Sequence, residues 1–358
     1  MLLKPQRVIA RITGLRVSVV LSIFLAGYAA LQCTTAEAVS VKHSEYLSVD
    51  GARLYLLVRG VDRNAPVLLW LHGGPGGAER PLFRYFNGEL EKNFIVAYWD
   101  QRGAGRSFDA RADPHRLTIA QHMADMDAVV DHLRKQLDHD KIVVVGHSWG
   151  AALGLLYVQA HPDKVSAFIG VNPLISLCMA EQEEYDFILK QASQHADTDV
   201  LARARKIGMP PFETFKDALA AEDLVQRYGG VYHNEPNRIW VVFRGIFTGL
   251  VTPWEIWRII QGIHVSLEAM HQELLSLDLT RSVPGVEVPV LFFLGRYDHH
   301  VDAGIAAAYL DRLRAPVKRM VWFENSAHNV PFEEPRLFNS TIVSALQSIA
   351  VDTARQQP

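Results

Sequence analysis

From Val41 onward the chain alternates short apolar runs with stretches of helical spacing. Pro66 to Leu71 (PVLLWL), Phe94 to Trp99 (FIVAYW), Lys141 to Val145 (KIVVV), Val165 to Val171 and Val288 to Leu294 (VPVLFFL) are apolar nearly throughout. Strands without polar alternation are buried on both faces, which points to a parallel sheet covered by helices. Between these runs, Met123, Met126, Val129, Val130, Leu133 and Leu137 recur at helical spacing within Ile119 to Leu137. Further helices are predicted at Ala151 to Ala160, Ala303 to Leu313 and Pro335 to Ile349, and a last strand at Met320 to Phe323. Near the start, Tyr46 to Val49 and Leu54 to Val58 flank Asp50-Gly51, a turn signal that predicts an antiparallel hairpin at one sheet edge.

The rhythm changes between residues 174 and 283. This stretch is helical in spacing, rich in aromatics such as Tyr185, Phe212, Trp240, Phe243, Trp254 and Trp257, and carries no convincing strand. Lying between two sheet strands, it reads as an inserted helical cap. The predicted organisation is a core of residues 39–173 and 284–358 interrupted by a cap of residues 174–283, with no internal repeat and no long linker.

The first 38 residues follow different rules. Lys4, Arg7, Arg11 and Arg16 precede an apolar run from Val17 to Leu31, and Ala36-Glu37-Ala38 closes the segment. A basic start, a short apolar run and an A-x-A triplet form a secretory signal cleaved after Ala38. The expectation is an exported protein, periplasmic or secreted. The alternative is an uncleaved membrane anchor, although 15 apolar residues are short for a span. Only Cys33 and Cys178 are present, so removal of the signal leaves no possible internal disulfide. Cys178 carries no signature around it and reads as a structural thiol.

Composition adds little beyond exclusions. With 358 residues, 49% hydrophobic and 21% charged, the chain can bury a large core, and a net charge of -3 gives no electrostatic case for nucleic acid.

Three motifs carry chemistry. Gly146-His147-Ser148-Trp149-Gly150 follows the strand KIVVV and opens a helix, placing a serine at a strand-to-helix elbow. There the flanking glycines avoid clashes, and the helix N-terminus offers free N–H groups to an oxyanion. His72-Gly73-Gly74-Pro75-Gly76-Gly77 follows the strand PVLLWL and lets backbone approach a substrate carbonyl. The expected oxyanion donors are the N–H groups of Gly74 and Trp149. A hydroxyl nucleophile needs a base, and the base needs an orienting acid, in the order Ser, acid, His. Asp298 follows the strand VPVLFFL and His328 follows Met320 to Phe323, so both fall at the sheet edge that carries Ser148. Asp302 and Glu324 compete as the acid, and His299 or His300 as the base. A metal site built from His299, His300, Asp298 and Asp302 lacks any H-E-x-x-H or cysteine pair, so no metal or organic cofactor is expected.

Together, His72-Gly73-Gly74-Pro75-Gly76, Asp100-Gln101-Arg102-Gly103-Ala104-Gly105-Arg106-Ser107 and Gly146-His147-Ser148-Trp149-Gly150 resemble the prolyl aminopeptidase (proline iminopeptidase) group of α/β-hydrolases. The resemblance covers the core on both sides of the cap. It implies the α/β-hydrolase fold, a triad of Ser148, Asp298 and His328, an oxyanion hole at Gly74 and Trp149, and a D-Q-R-G turn that buttresses the site. It also implies that cap carboxylates hold the substrate's free amine. Glu181, Glu183 and Glu184 are the candidates near the start of the cap, with Glu222, Glu255, Glu268 and Glu273 further on. His147 stands where that group commonly carries glycine.

The function expected is a serine aminopeptidase releasing N-terminal residues, proline in particular, from peptides through an acyl-enzyme. An esterase or amidase acting on small esters, lactones or amides is the alternative, and a non-catalytic binding module on the same fold is a third possibility. No nucleic-acid partner is expected, and contact with a membrane only through a retained N-terminal segment. N-terminal sequencing of the exported protein should begin at Val39; a start at Met1 would contradict cleavage.

Overall fold

The computed structural model describes residues 39–236 and 238–356. The predicted export segment and Cys33 lie outside them. Eight strands form one sheet: β1 (Val41–Val49), β2 (Ala52–Gly60), β3 (Val67–Leu71), β4 (Ile95–Asp100), β5 (Ile142–His147), β6 (Val165–Val171), β7 (Val290–Gly295) and β8 (Lys318–Phe323). Their order is β1-β2-β4-β3-β5-β6-β7-β8. β2 runs antiparallel to both neighbours, and every pair from β4 to β8 is parallel. The hairpin closes as its sequence predicts. Val49 pairs with Ala52, and Asp50 (φ 43°) and Gly51 (φ 76°) take the left-handed conformations that a two-residue turn demands.

Strand side chains alternate between two buried layers. On one face Leu69, Leu71, Ile95, Ala97 and Val144 meet the helices α2 (Ile119–Leu137) and α3 (Trp149–Ala160). On the other, Leu68, Trp70, Val96, Tyr98 and Val145 meet Phe83 of α1 (Arg80–Asn87) and Phe338 of the C-terminal helix (Pro335–Gln356). Period-two alternation in runs without polar residues therefore builds two cores at once. The helix α1 has no counterpart in the predicted elements. It follows closely on the glycine loop with Pro81 in its first turn, and its polar sequence disguises a buried face of Arg80, Phe83 and Asn87.

Between β6 and β7 the chain is helical: α4 (Leu177–Gln194), α5 (Thr198–Ile207), α6 (Phe215–Arg227), α7 (Arg238–Phe247), α8 (Pro253–Leu275) and the short α9 (Leu279–Ser282). Part of this insertion has its own core, around Ile188, Phe212, Leu224 and Val225. Its two ends do not stand apart from the sheet. A bridge between Ser176 and Asp278 closes the neck, and Leu174, Ile175, Met270, Leu274 and Leu279 belong to the sheet-face core. Cys178 sits in that neck, its Sγ 3.1 Å from the carbonyl of Leu275, and burial pushes the thiol pKa up. A structural thiol fits this setting.

Helix α8 is pressed onto the loops beneath it. A Cβ at Gly76 would lie 2.4 Å from the carbonyl oxygen of Gly262, and one at Gly262 would lie 2.4 Å from that of Gly103. Only glycine permits backbones to meet this closely. Arg258 extends the attachment by donating to the carbonyls of Gly105, Arg106 and Phe108.

Candidate active site

Ser148 caps α3 with φ 54° and ψ -118°, a strained conformation for a residue with a side chain. The elbow is enforced by close packing. A Cβ at Gly146 would come within 2.4 Å of the Gly150 carbonyl oxygen, and one at Gly150 within 2.3 Å of that of Leu71. The Ser148 N–H donates to the Val171 carbonyl at 3.0 Å, fastening the elbow to the end of β6. Trp149 is the first helical residue, so its N–H has no intrahelical acceptor. The glycine loop runs alongside: a Cβ at Gly73 would lie 3.4 Å from Ser148 Cβ, and Gly74 sits at φ 114°.

The D-Q-R-G segment supports both. Buried Gln101 donates through Nε2 to the His72 carbonyl (3.0 Å), donates its N–H to His72 Nε2 (3.1 Å), and accepts from Trp149 Nε1 (3.0 Å). Arg102 forms a buried fork on Asp125 at 2.7 and 2.6 Å. Asp100 receives Arg80 and the N–H of Arg106.

His328 Nδ1 lies 2.9 Å from Asp298 Oδ2, and both residues are buried. The other Asp298 oxygen accepts the N–H groups of His300 (2.9 Å) and Val301 (3.2 Å), which leaves the carboxylate aimed at the imidazole. Burial works to raise the Asp298 pKa, but adjacent His328 and its hydrogen bond hold it below the usual value. For His328, burial wins, with nearby His147 and His300 adding to it, and the pKa falls below 6.5 despite Asp298. A neutral imidazole with Nδ1–H turned to a carboxylate leaves Nε2 free to accept a proton.

The competing residues go elsewhere. Asp302 caps the next helix by accepting from Ile305, and exposed Glu324 pairs with Arg296. His299 stacks on Phe187 at 4.0 Å, and His300 Nδ1 lies 2.7 Å from Glu184 Oε1. Of the four residues of the hypothetical metal site, His299 Nδ1 lies 3.8 Å from Asp302 Oδ2, while His300 turns to Glu184 and Asp298 to His328.

Two side chains that sequence patterns did not single out as functional hold His328 in place. Asn172, buried at φ 41° after β6, donates to the carbonyls of Ala327 (3.0 Å) and His328 (2.7 Å) and accepts from Gly295 N–H (2.9 Å). His147 Nε2 also donates to the His328 carbonyl at 3.0 Å, while its Nδ1 lies 2.7 Å from Glu79 Oε1. Burial opposes charge on His147, yet Glu79 and the carbonyl raise its pKa above the ordinary value. With acceptors at both nitrogens, His147 is suited to be an imidazolium. Asn172-Pro173 reads in the sequence only as a turn, and nothing there discloses its three distant partners.

The cap carboxylates divide by helix face. Glu181 and Glu184 lie three residues apart on the buried face of α4, whereas Glu183 is exposed, which removes it from the candidates that face inward. Glu181 Oε2 accepts from the Phe212 N–H, and burial raises its pKa to about 7. Glu184 is likewise raised to about 7 by burial. Its partner His300 is raised to about 10 against the effect of burial, chiefly by Glu222 and Glu184, and its ring stands edge-on to His328 at 4.8 Å. Glu255 is taken up by Arg80 and Arg106, Glu273 accepts from Ile119 N–H, and Glu268 is exposed. A cavity of about 780 Å³ lined by Arg53, Phe108, Trp254 and Trp257 lies against the 102–117 loop, and none of the three predicted triad residues lines it.

A family profile described as alpha/beta hydrolase fold matches residues 66–335. The probable aminopeptidase YbaC of Bacillus subtilis (strain 168) is 32% identical, over 85% of this chain and 96% of that protein. A proline iminopeptidase of Saccharolobus solfataricus is 26% identical over 81% and 87%. Among solved structures, a proline iminopeptidase-related protein from Thermus thermophilus is similar with a TM-score of 0.63 at 20% identity, covering 86% of this chain and 98% of that one. An esterase from Exiguobacterium antarcticum gives 0.57 at 18%, covering 86% and 100%.

The electrostatics predict a titration. In an NMR titration the His328 imidazole should titrate below 6.5, and His147→Asn should move it upward by removing a neighbouring positive charge. A His328 value unchanged in the variant would show that His147 does not influence it.

Proposed function

The chain belongs to the α/β-hydrolase family as a prolyl aminopeptidase-like hydrolase, and from that premise we propose that it is a serine aminopeptidase releasing N-terminal proline through an acyl-enzyme. The observation that carries this reading is the buried contact between His328 and Asp298 at 2.9 Å, with the His328 backbone carbonyl held at 3.0 Å by His147, the residue before Ser148. Ser148 Oγ attacks the scissile carbonyl as its proton passes to His328 Nε2. The N–H groups of Gly74 and Trp149 take the oxyanion, each contributing roughly 2.7–4 kcal/mol to the transition state. His328 then protonates the departing amine, leaving proline esterified to Ser148. Water attacks the ester carbonyl, giving its proton to His328 and restoring the serine hydroxyl.

In this reading, the substrate amine is held by Glu184 on the buried face of α4. Glu183 is too exposed for the role, while Glu181, on the same buried face, accepts from the Phe212 N–H through Oε2 and keeps a buried Oε1 without a hydrogen-bond partner, so it stands beside Glu184 as a second candidate. Residues 1–38 export the protein. One observation favours the esterase or amidase alternative: the Glu184 carboxylate already has a cationic partner in His300, and an ester requires no amine site.

Hydrolysis of proline 2-naphthylamide, its N-acetyl derivative and p-nitrophenyl butyrate separates the two readings. Amine recognition predicts that acetylation lowers kcat/KM by about tenfold or more, the value of a charged hydrogen bond. Equal rates on the free and blocked amine, with rapid ester cleavage, would reject the aminopeptidase reading and leave the serine chemistry standing.

A further inference from the structure

Helix α7 is amphipathic, but its apolar stripe faces outward. Ile239, Trp240, Val242, Phe243, Ile246 and Phe247 fall at i, i+1, i+3, i+4, i+7 and i+8, the positions that normally bury a helix. All six are exposed, Ile239 at 86% and Phe247 at 84%, while Gly245 and half-buried Val241 turn inward. The helix lies over α1, where Arg244 reaches the Tyr85 ring at 5.7 Å. Trp254, Trp257 and Ile260 on α8 continue the exposed surface. Nine of the sixteen large hydrophobics exposed among the described residues thus fall between residues 239 and 260. Apolar surface concentrated in this way marks a contact face.

Charge decides what the face meets. From Pro236 to Trp254 there is no acidic residue, and the segment carries Arg238 and Arg244. A two-fold contact between copies would bring like charges together with no carboxylate in the segment to offset them. An anionic bilayer supplies phosphate groups for the arginines and an apolar layer for the stripe. Tryptophan and phenylalanine are also the side chains that settle at a membrane interface.

We propose that α7 and the start of α8 form a docking surface for an anionic lipid bilayer, with the aromatic stripe lying in the plane of the interface. The proposal is independent of the chemistry at Ser148. It gives the protein a lipid contact on its cap, separate from the predicted export segment.

Hydrogen exchange on the full chain, with and without phosphatidylglycerol–phosphatidylethanolamine vesicles, tests it. Peptides spanning 239–260 should exchange severalfold more slowly with vesicles present, while sheet peptides stay unchanged. Both Trp240→Ser/Phe243→Ser/Phe247→Ser and Arg244→Glu should abolish or weaken this slowing, the latter by about fivefold in lipid affinity or more. Both should keep wild-type hydrolysis, which controls for folding. Vesicle-bound protein with unchanged exchange across 239–260 would overturn the proposal, because the N-terminus alone would then hold the lipid. So would protection that needs no lipid and rises with protein concentration alongside a doubled mass, since a second copy would then cover the stripe.

Discussion

The carbonyl oxygen of His328 is the point on which the site depends. An imidazole on a loop has no helix or strand to fix its direction, so its backbone must be fixed instead. Asn172 and His147 both donate to this oxygen, one from the end of β6 and the other from the end of β5. Asn172 also receives the N–H of Gly295 at the end of β7, and a Cβ on Gly295 would sit 1.9 Å from the Ala327 carbonyl oxygen. Three strand ends therefore converge on the loop after the fourth. Losing one partner would leave a buried donor or acceptor unsatisfied, a cost of about 1–3 kcal/mol, so the arrangement resists local opening.

Around that anchor the charges alternate. Glu79 faces His147, Asp298 faces His328, and Glu184 faces His300. The two outer histidines have their pKa values raised by carboxylates, and their positive charge helps burial keep the central one neutral. Proton affinity is thus divided among three similar side chains by their neighbours. The glycine loop is positioned by close steric contact. Gly76, Gly262 and Gly103 bring helix α8 against the loops below, so this part of the cap and the proposed oxyanion loop share one packed contact.

The sheet was legible because its strands are buried on both faces and therefore continuously apolar. The elbow was legible because glycine, serine and glycine at those spacings have few other uses after a strand. Helix α1 was hidden, since its buried face includes Arg80 and Asn87, whose partners Asp100, Glu255 and the Pro331 carbonyl are distant in sequence. Asn172 was hidden for the same reason: its role lies in three long-range bonds and no local pattern. Among the cap glutamates, helical spacing separates Glu181 and Glu184 from Glu183, but the sequence does not say which face turns inward. Packing decides that.

Mapping a fluorophosphonate adduct by mass spectrometry tests the central claim that Ser148, His328 and Asp298 act as one unit. The account predicts a single adduct on the peptide containing Ser148, lost in Ser148→Ala and slowed by orders of magnitude in His328→Ala. An adduct on another residue, or equal labelling of the wild type and His328→Ala, would contradict it.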